Sequence, residues 1–192
     1  LSCGVRTISV RITPSVAIIP TGTELVDAMS DRLEELETGK IIESNSHLIS
    51  GLVREYGGIP KRFEPVKDEQ KVIREAILKA SSEYDIVVIN AGTSAGREDF
   101  VPQIIEELGS LLVHGVDIMP GKPVSLGIVQ DKPIIGVPGY PVSAFIACEL
   151  FLKSLIFKLL GLPIPKRELV EGVMGRRIRS KLGVEEFVRV NA

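Results

Sequence analysis

A chain of 192 residues with a formal net charge of −2 is long enough for one ordinary domain and part of another, and without a long basic run it lacks a nucleic-acid footprint. Its hydrophobic fraction of 44% raises the question of a membrane span, but the longest apolar stretch, residues 145–162, is interrupted by Glu149, Lys153 and Lys158, so none is expected. Cys3 and Cys148 read as free thiols, and with only His47 and His114 beside them no structural zinc site is expected.

In chain order, residues 1–15 read as a linker or the end of a neighbouring β domain, Val5 to Val10 having β character. The run Val16-Ala17-Ile18-Ile19, closed by Pro20, Thr21 and Gly22, predicts a buried parallel strand opening into a loop. After the polar stretch from Glu24 to Glu43, Leu48, Ile49, Leu52 and Val53 recur at helical spacing, and Gly57-Gly58 ends that helix. A strand follows over 59–63. Val72, Ile73, Ala76, Ile77 and Ala80 mark an amphipathic helix with acidic residues before it. Residues 85–90 form the clearest strand of the sequence. A helix over 100–108, three apolar strands near 111–113, 124–129 and 133–137, and a helix from Pro141 to about Leu160 complete the pattern.

Alternating strands and helices predict an α/β fold, a three-layer αβα domain over 16–162 with a mostly parallel sheet, whose ligands sit beyond the carboxyl ends of the strands. Pro163 and Pro165 read as a linker, and 163–192 as the start of a small β-rich domain whose Arg176 to Lys181 form a solvated face. The chain starts at Leu1 and stops just after a strand-like run, so it reads as a fragment of something longer. No basic-then-apolar leader precedes a small-residue cleavage site, and a cytoplasmic location is expected.

Four loops carry chemistry: Pro20 to Leu25, Asn90 to Asp99, Met119 to Pro123, and Val137 to Ser143. Their glycines, hydroxyls and strand-end backbone N–H groups are what an oxyanion needs, because the main chain then approaches closely and donates hydrogen bonds. Lys122 adds a positioned positive charge. Glu98 and Asp99 lie beside the hydroxyls of Thr93 and Ser94, and carboxylates beside a phosphate call for a shared cation, with magnesium the natural choice.

Taken in order, Thr21-Gly22-Thr23-Glu24-Leu25, Gly39-Lys40-Ile41-Ile42-Glu43-Ser44-Asn45, Ala91-Gly92-Thr93-Ser94-Ala95-Gly96-Arg97-Glu98-Asp99, Pro120-Gly121-Lys122-Pro123 and Pro138-Gly139-Tyr140-Pro141-Val142-Ser143 resemble the signature of the molybdenum cofactor biosynthesis fold. That fold is shared by molybdopterin adenylyltransferases, molybdopterin molybdenumtransferases and gephyrin. The resemblance covers Val5 to Leu162, and Pro-Gly-x-Pro-Val-Ser with the downstream Glu186 to Val190 points to the molybdenumtransferase branch.

The resemblance implies insertion of molybdate or tungstate into adenylylated molybdopterin, with cleavage of the phosphoanhydride and release of AMP. It implies catalytic roles for Glu24, Asp68 and Asp99, with Mg2+ held by Asp99 and Glu24. It assigns ligand binding to Thr21, Gly22, Asn45, Gly92, Thr93, Ser94, Gly96, Gly121, Lys122, Gly139 and Ser143. Its alternatives are a molybdopterin-binding module without turnover and an adenylyltransferase. Beyond small-molecule substrates it implies a homo-oligomer, dimer or trimer, in which a partner domain completes the site, so that this chain alone binds the pterin nucleotide but inserts metal poorly. Thr23, Ala91 and Tyr140 depart from the family pattern, and Tyr140 stands where an asparagine is commoner.

Overall fold

The computed structural model describes residues 3–27, 29, 38–91, 100–166 and 170–190. Its sheet runs in the order β4 (Ile59–Arg62), β1 (Ser15–Thr21), β5 (Ile86–Ala91), β9 (Lys132–Pro138), β8 (Ser125–Val129), β6 (Ser110–His114). The first four are mutually parallel, whereas β8 pairs antiparallel with both β9 and β6. The fold is therefore α/β with a mostly parallel sheet, as the alternating pattern predicts.

The two faces of the sheet follow from strand alternation. Val16 and Ile18 of β1 join Ile86 and Val88 of β5 in a cluster with α1 (Asn45–Glu55), α4 (Pro141–Ala147) and α5 (Lys153–Leu160). Ala17 and Ile19 join Val87 and Ile89 on the other face, against α2 (Gln70–Glu83) and α3 (Phe100–Leu108). Because successive side chains point to opposite faces, strands covered on both sides read as continuous apolar runs rather than as alternating ones. α3 lies so close to β8 that a Cβ on Gly127 would sit 2.2 Å from Ile105 Cγ2 and 2.7 Å from the Ser110 carbonyl, so this layer contact requires glycine.

Two features differ from the sequence expectation. The helix predicted over 141–160 is interrupted by a π-helical turn, Cys148–Leu152, between α4 and α5. The wider turn presents Glu149 to α1, where the Tyr56 hydroxyl donates to it, and Lys153 Nζ lies 3.1 Å from the same carboxylate. Burial and the neighbouring carboxylate together push the Tyr56 phenol well above its ordinary value. Burial, with Glu149 adding to it, pushes the Cys148 thiol up to about 12, so this fully buried sulfur stays protonated and unreactive. The second difference lies in the stretch from Glu24 to Glu43, which contains a short parallel pair, β2 (Leu25–Asp27) with β3 (Ile41–Glu43). Near the end of the chain, β10 (Glu185–Glu186) pairs in parallel with β7 (Ile118–Met119), and Phe187 N–H donates to the Met119 carbonyl at 2.8 Å. Among the described residues no helix is long and apolar enough to cross a membrane.

At the amino edge of the sheet, Ser15 donates both its backbone N–H and its hydroxyl to Asp85 Oδ2, each at 2.8 Å, with Lys132 Nζ 3.5 Å from the other oxygen. This pins the starts of β1, β5 and β9 together. The donated Ser15 N–H, helped by its hydroxyl and by Lys132, holds the Asp85 carboxyl below its ordinary value against the opposing effect of burial. A depressed folded-state value contributes stability that is present above the unfolded carboxylate range and is lost as pH falls through the folded value. Asp85→Asn is expected to lower stability by about 1 kcal/mol at pH 7, discounted for partial exposure. Urea titrations should show the gap from wild type closing below about pH 4; a gap that stays constant down to pH 3 would contradict this origin.

Candidate functional site

The carboxyl ends of β1, β5 and β9 open onto a cavity of about 390 Å³. Thr21, Glu24 and Leu25 line it from the loop after β1; Ile41, Ile42, Glu43, Ser44 and Asn45 from β3 and the start of α1; Asn90 from β5; and Gly139, Tyr140 and Pro141 from the turn into α4. A cavity at this edge is the expected place for a ligand in an open α/β sheet.

Two asparagines join its walls. Asn45 Nδ2 donates to Asn90 Oδ1 at 3.0 Å and to the Gly139 carbonyl at 2.6 Å, while Asn90 Nδ2 donates to the Pro138 carbonyl at 2.9 Å. The carbonyls fix both amide orientations, since a flipped amide would set oxygen against oxygen. Both residues are buried, Asn45 being 7% exposed and Asn90 3%.

α1 has Ser44 at its N-cap position, but the Ser44 side chain makes no capping bond. Glu43 does that work instead: its carboxylate accepts the Ser46 backbone N–H at 2.7 Å and the Ser46 hydroxyl at 2.5 Å. Arg62 Nε in turn donates to Ser46 Oγ at 2.8 Å and its other end reaches Asp27 Oδ2 at 3.2 Å. Glu43, only 2% exposed, is thus satisfied by the N-terminal end of a helix, where a negative charge is favoured.

The loops are also stitched to one another. Gly22 N–H donates to the Val66 carbonyl at 2.9 Å, Val66 N–H to the Pro20 carbonyl at 2.8 Å, and the Asp68 N–H lies 3.4 Å from Thr23 Oγ1. Ile41 N–H donates to the Glu24 carbonyl at 2.9 Å, and Lys40 Nζ to the Thr23 carbonyl at 3.0 Å. The first motif, the second motif and the segment carrying Asp68 therefore form one braid.

Of the residues singled out from sequence, Thr21, Glu24, Asn45 and Gly139 line the cavity, with Gly22 buried in the same loop. Asp68 lies beside that loop without lining the cavity. Gly121 and Ser143 pack together at the foot of α4, where a Cβ on Gly121 would lie 3.7 Å from the Ser143 carbonyl. Lys122 is exposed, 3.9 Å from Asp117, and is not among the lining residues. Gly92, Thr93, Ser94, Gly96 and Asp99 lie outside the described residues. Among the described residues no three His, Cys, Asp or Glu side chains converge as metal ligands do. Leu25, Ile41, Ile42, Glu43, Ser44, Asn90, Tyr140 and Pro141 also line the cavity; the sequence places them in the motifs and loops but assigns none of them to ligand binding. For Asn90 a signal existed: a polar residue directly continuing the apolar run Ile86 to Ile89, at the end of a strand where ligands bind.

The family described as "Probable molybdopterin binding domain" matches residues 17–158. A protein of Methanocaldococcus jannaschii named for molybdopterin biosynthesis is 38% identical over 92% of this chain and 43% of its own length. The molybdopterin molybdenumtransferase of Bacillus subtilis is 30% identical over 97% of this chain and 43% of its own. Among solved structures, the molybdopterin biosynthesis protein MoeA of Pyrococcus horikoshii superposes with a TM-score of 0.70 at 35% identity, over 78% of this chain and 36% of that one. The chain spans less than half the length of these relatives.

Removing the Asn90 side chain leaves one Asn45 N–H and the Pro138 carbonyl without partners in a buried position. Asn90→Ala is expected to cost about 2 kcal/mol, read as a lowered urea midpoint at unchanged slope. An unchanged midpoint would show that the two asparagines do not hold the loops together.

Proposed function

Because the chain belongs to the family of molybdopterin binding domains, we propose that it is the substrate-binding domain of an enzyme that inserts molybdate, or tungstate, into adenylylated molybdopterin with release of AMP. The observation that carries this reading is the convergence of three separate motif segments, 21–25, 41–45 and 139–141, on one cavity at the carboxyl edge of a parallel sheet. The similarity to the Bacillus subtilis transferase across 97% of this chain supports the transferase over an adenylyltransferase.

In this reading water adds to the phosphoanhydride of the adenylylated pterin, giving AMP and the pterin monophosphate, and the two dithiolene thiols bind the metal of the incoming oxyanion in place of oxygen, which leaves as water with the thiol protons. Glu24 and Asp99 act at the phosphoanhydride, and Asp68 supports them from the segment stitched to the first loop. Lys122, Thr93, Ser94 and Ser143 hold the phosphates. Gly22, Gly92, Gly96 and Gly121 allow the main chain to approach the ligand. The donor set fits a hydrated magnesium ion: Glu24 has no hydrogen-bonding partner for its carboxylate among the described residues, and Asp99 would add a second carboxylate, the ion neutralising phosphate charge when bound. A partner subunit would complete the site over the open mouth of the cavity.

Chromatography of nucleotides after incubation with adenylylated molybdopterin and molybdate tests this. Molybdate-dependent AMP is expected, slow from this chain alone and faster from a protein of the relatives' full length that carries it, and reduced on the order of a hundredfold in the latter by Glu24→Gln. Consumption of ATP with molybdopterin instead would make the chain an adenylyltransferase. Binding without any AMP release, by this chain and equally by a protein of the relatives' full length that carries it, would make it a module without turnover.

A further inference from the structure

The ribbon of β2 and β3 stands apart from the six-stranded sheet and carries a charge conflict of its own. Its parallel register sets Asp27 directly across from Glu43, so two carboxylates lie side by side on paired strands, an arrangement that like-charge repulsion disfavours. Arg62, the last residue of β4, resolves it. Its Nη2 donates to Asp27 Oδ2 at 3.2 Å and its Nε to Ser46 Oγ at 2.8 Å, while Ser46 donates its N–H and its hydroxyl to Glu43. Asp27, Arg62, Ser46 and Glu43 therefore form a ring that the pairing of β2 with β3 closes. Glu43 is 2% exposed and the side chains of Arg62 and Asp27 are 25% and 16% exposed, so water screens these charges less than it screens a surface pair. The guanidinium reaches acceptors on two different elements through a planar fork that a single ammonium nitrogen does not reproduce.

The ring has a mechanical consequence for Glu24. This residue directly precedes β2, and its carbonyl accepts the Ile41 N–H of β3 at 2.9 Å, so its backbone belongs to the ribbon. Wherever the ribbon rests, Glu24 rests with it. Arg62 itself is not among the residues lining the cavity, whereas Glu24 is. The strand that carries Arg62 belongs to the sheet: Arg62 lies opposite Ile18 of β1, and the next residue, Phe63, donates its N–H to the Ile18 carbonyl at 2.9 Å. One side chain thus ties the ribbon to the sheet and to the start of α1.

We propose that Arg62 is a positioning residue for Glu24: it docks the ribbon against the end of β4 and the start of α1, and thereby sets where the Glu24 carboxylate stands at the cavity. This rests on the preceding functional reading only for the work given to Glu24 at the phosphoanhydride; the docking of the ribbon stands without it.

Amide hydrogen exchange tests the docking in this chain. In Arg62→Leu the Ile41 amide, which reports the ribbon, is expected to exchange about tenfold faster, the scale of one lost hydrogen bond to a charged group, while the Phe63 amide, which reports the sheet, keeps its protection. Adding Asp27→Asn, which removes the repulsion that Arg62 no longer offsets, is expected to restore most of the Ile41 protection. A role confined to overall stability would speed both amides together; that result, or an Ile41 amide that does not respond, would overturn the proposal. The positioning of Glu24 is read from AMP formation by a protein of the relatives' full length that carries this chain. Arg62→Leu is expected to slow it about tenfold, and to add nothing once Glu24→Gln is present, because Arg62 acts through a carboxylate that is then gone. Losses that multiply, or an unchanged rate in Arg62→Leu, would overturn the positioning role and leave the transferase reading intact. A wild-type protein that forms no AMP while the Ile41 amide responds as expected would sink the transferase reading and leave the docking by Arg62 standing.

Discussion

Asn45 and Asn90 join the ends of two neighbouring strands to the starts of two helices through four polar groups. Asn90 ends the central strand β5, Asn45 begins α1, and the carbonyls of Pro138 and Gly139 end β9 and begin the turn into α4. A parallel sheet leaves its strand ends facing several loops whose backbone groups must all be satisfied. Here two buried side-chain amides do this, and both side-chain N–H groups of Asn45 are used in doing so. The walls of the cavity, the entry angle of α1 and the position of Tyr140 all depend on this arrangement.

Electrostatics then divides the surface. The carboxylate of Glu43 is held by Ser46, which is held by Arg62, which is held by Asp27, so one acid is consumed in building the wall. Glu24 remains available for chemistry or for a cation. Lys122 stands outside the cavity on the loop whose start, Ile118–Met119, is paired with Glu185–Glu186. Among the described residues the cavity is lined by Glu24 and Glu43 with Leu25, Ile41 and Ile42, while Lys122 carries its charge outside it.

Much of this was legible in the sequence because burial imposes simple patterns. The runs 16–19 and 86–89 are apolar at every position, which only a strand covered on both faces requires, and the 3.6-residue periods of α1 and α2 follow from having one covered face. Thr21, Glu24, Asn45 and Gly139 were identified by their places in motifs, and the cavity contains all four. The remainder depended on contacts between residues far apart in the chain. Nothing near Glu43 shows that it caps α1 rather than facing a ligand, and nothing near Asn90 names its partners 45 and 48 residues away. The π-helical turn was hidden because Glu149 and Lys153 also fit an ordinary helix; their partner Tyr56 lies 93 residues from Glu149. The pair β2 with β3 was masked by the acidic composition between its strands.

The central claim is that this cavity and its neighbouring loops bind adenylylated molybdopterin with a shared divalent cation. Calorimetric titration of the chain with that compound, with and without magnesium, on wild type and Asp99→Ala, tests it most directly. The account predicts binding that tightens with magnesium in the wild type and loses that gain in the variant. A folded chain that binds none of the compound under either condition would contradict it.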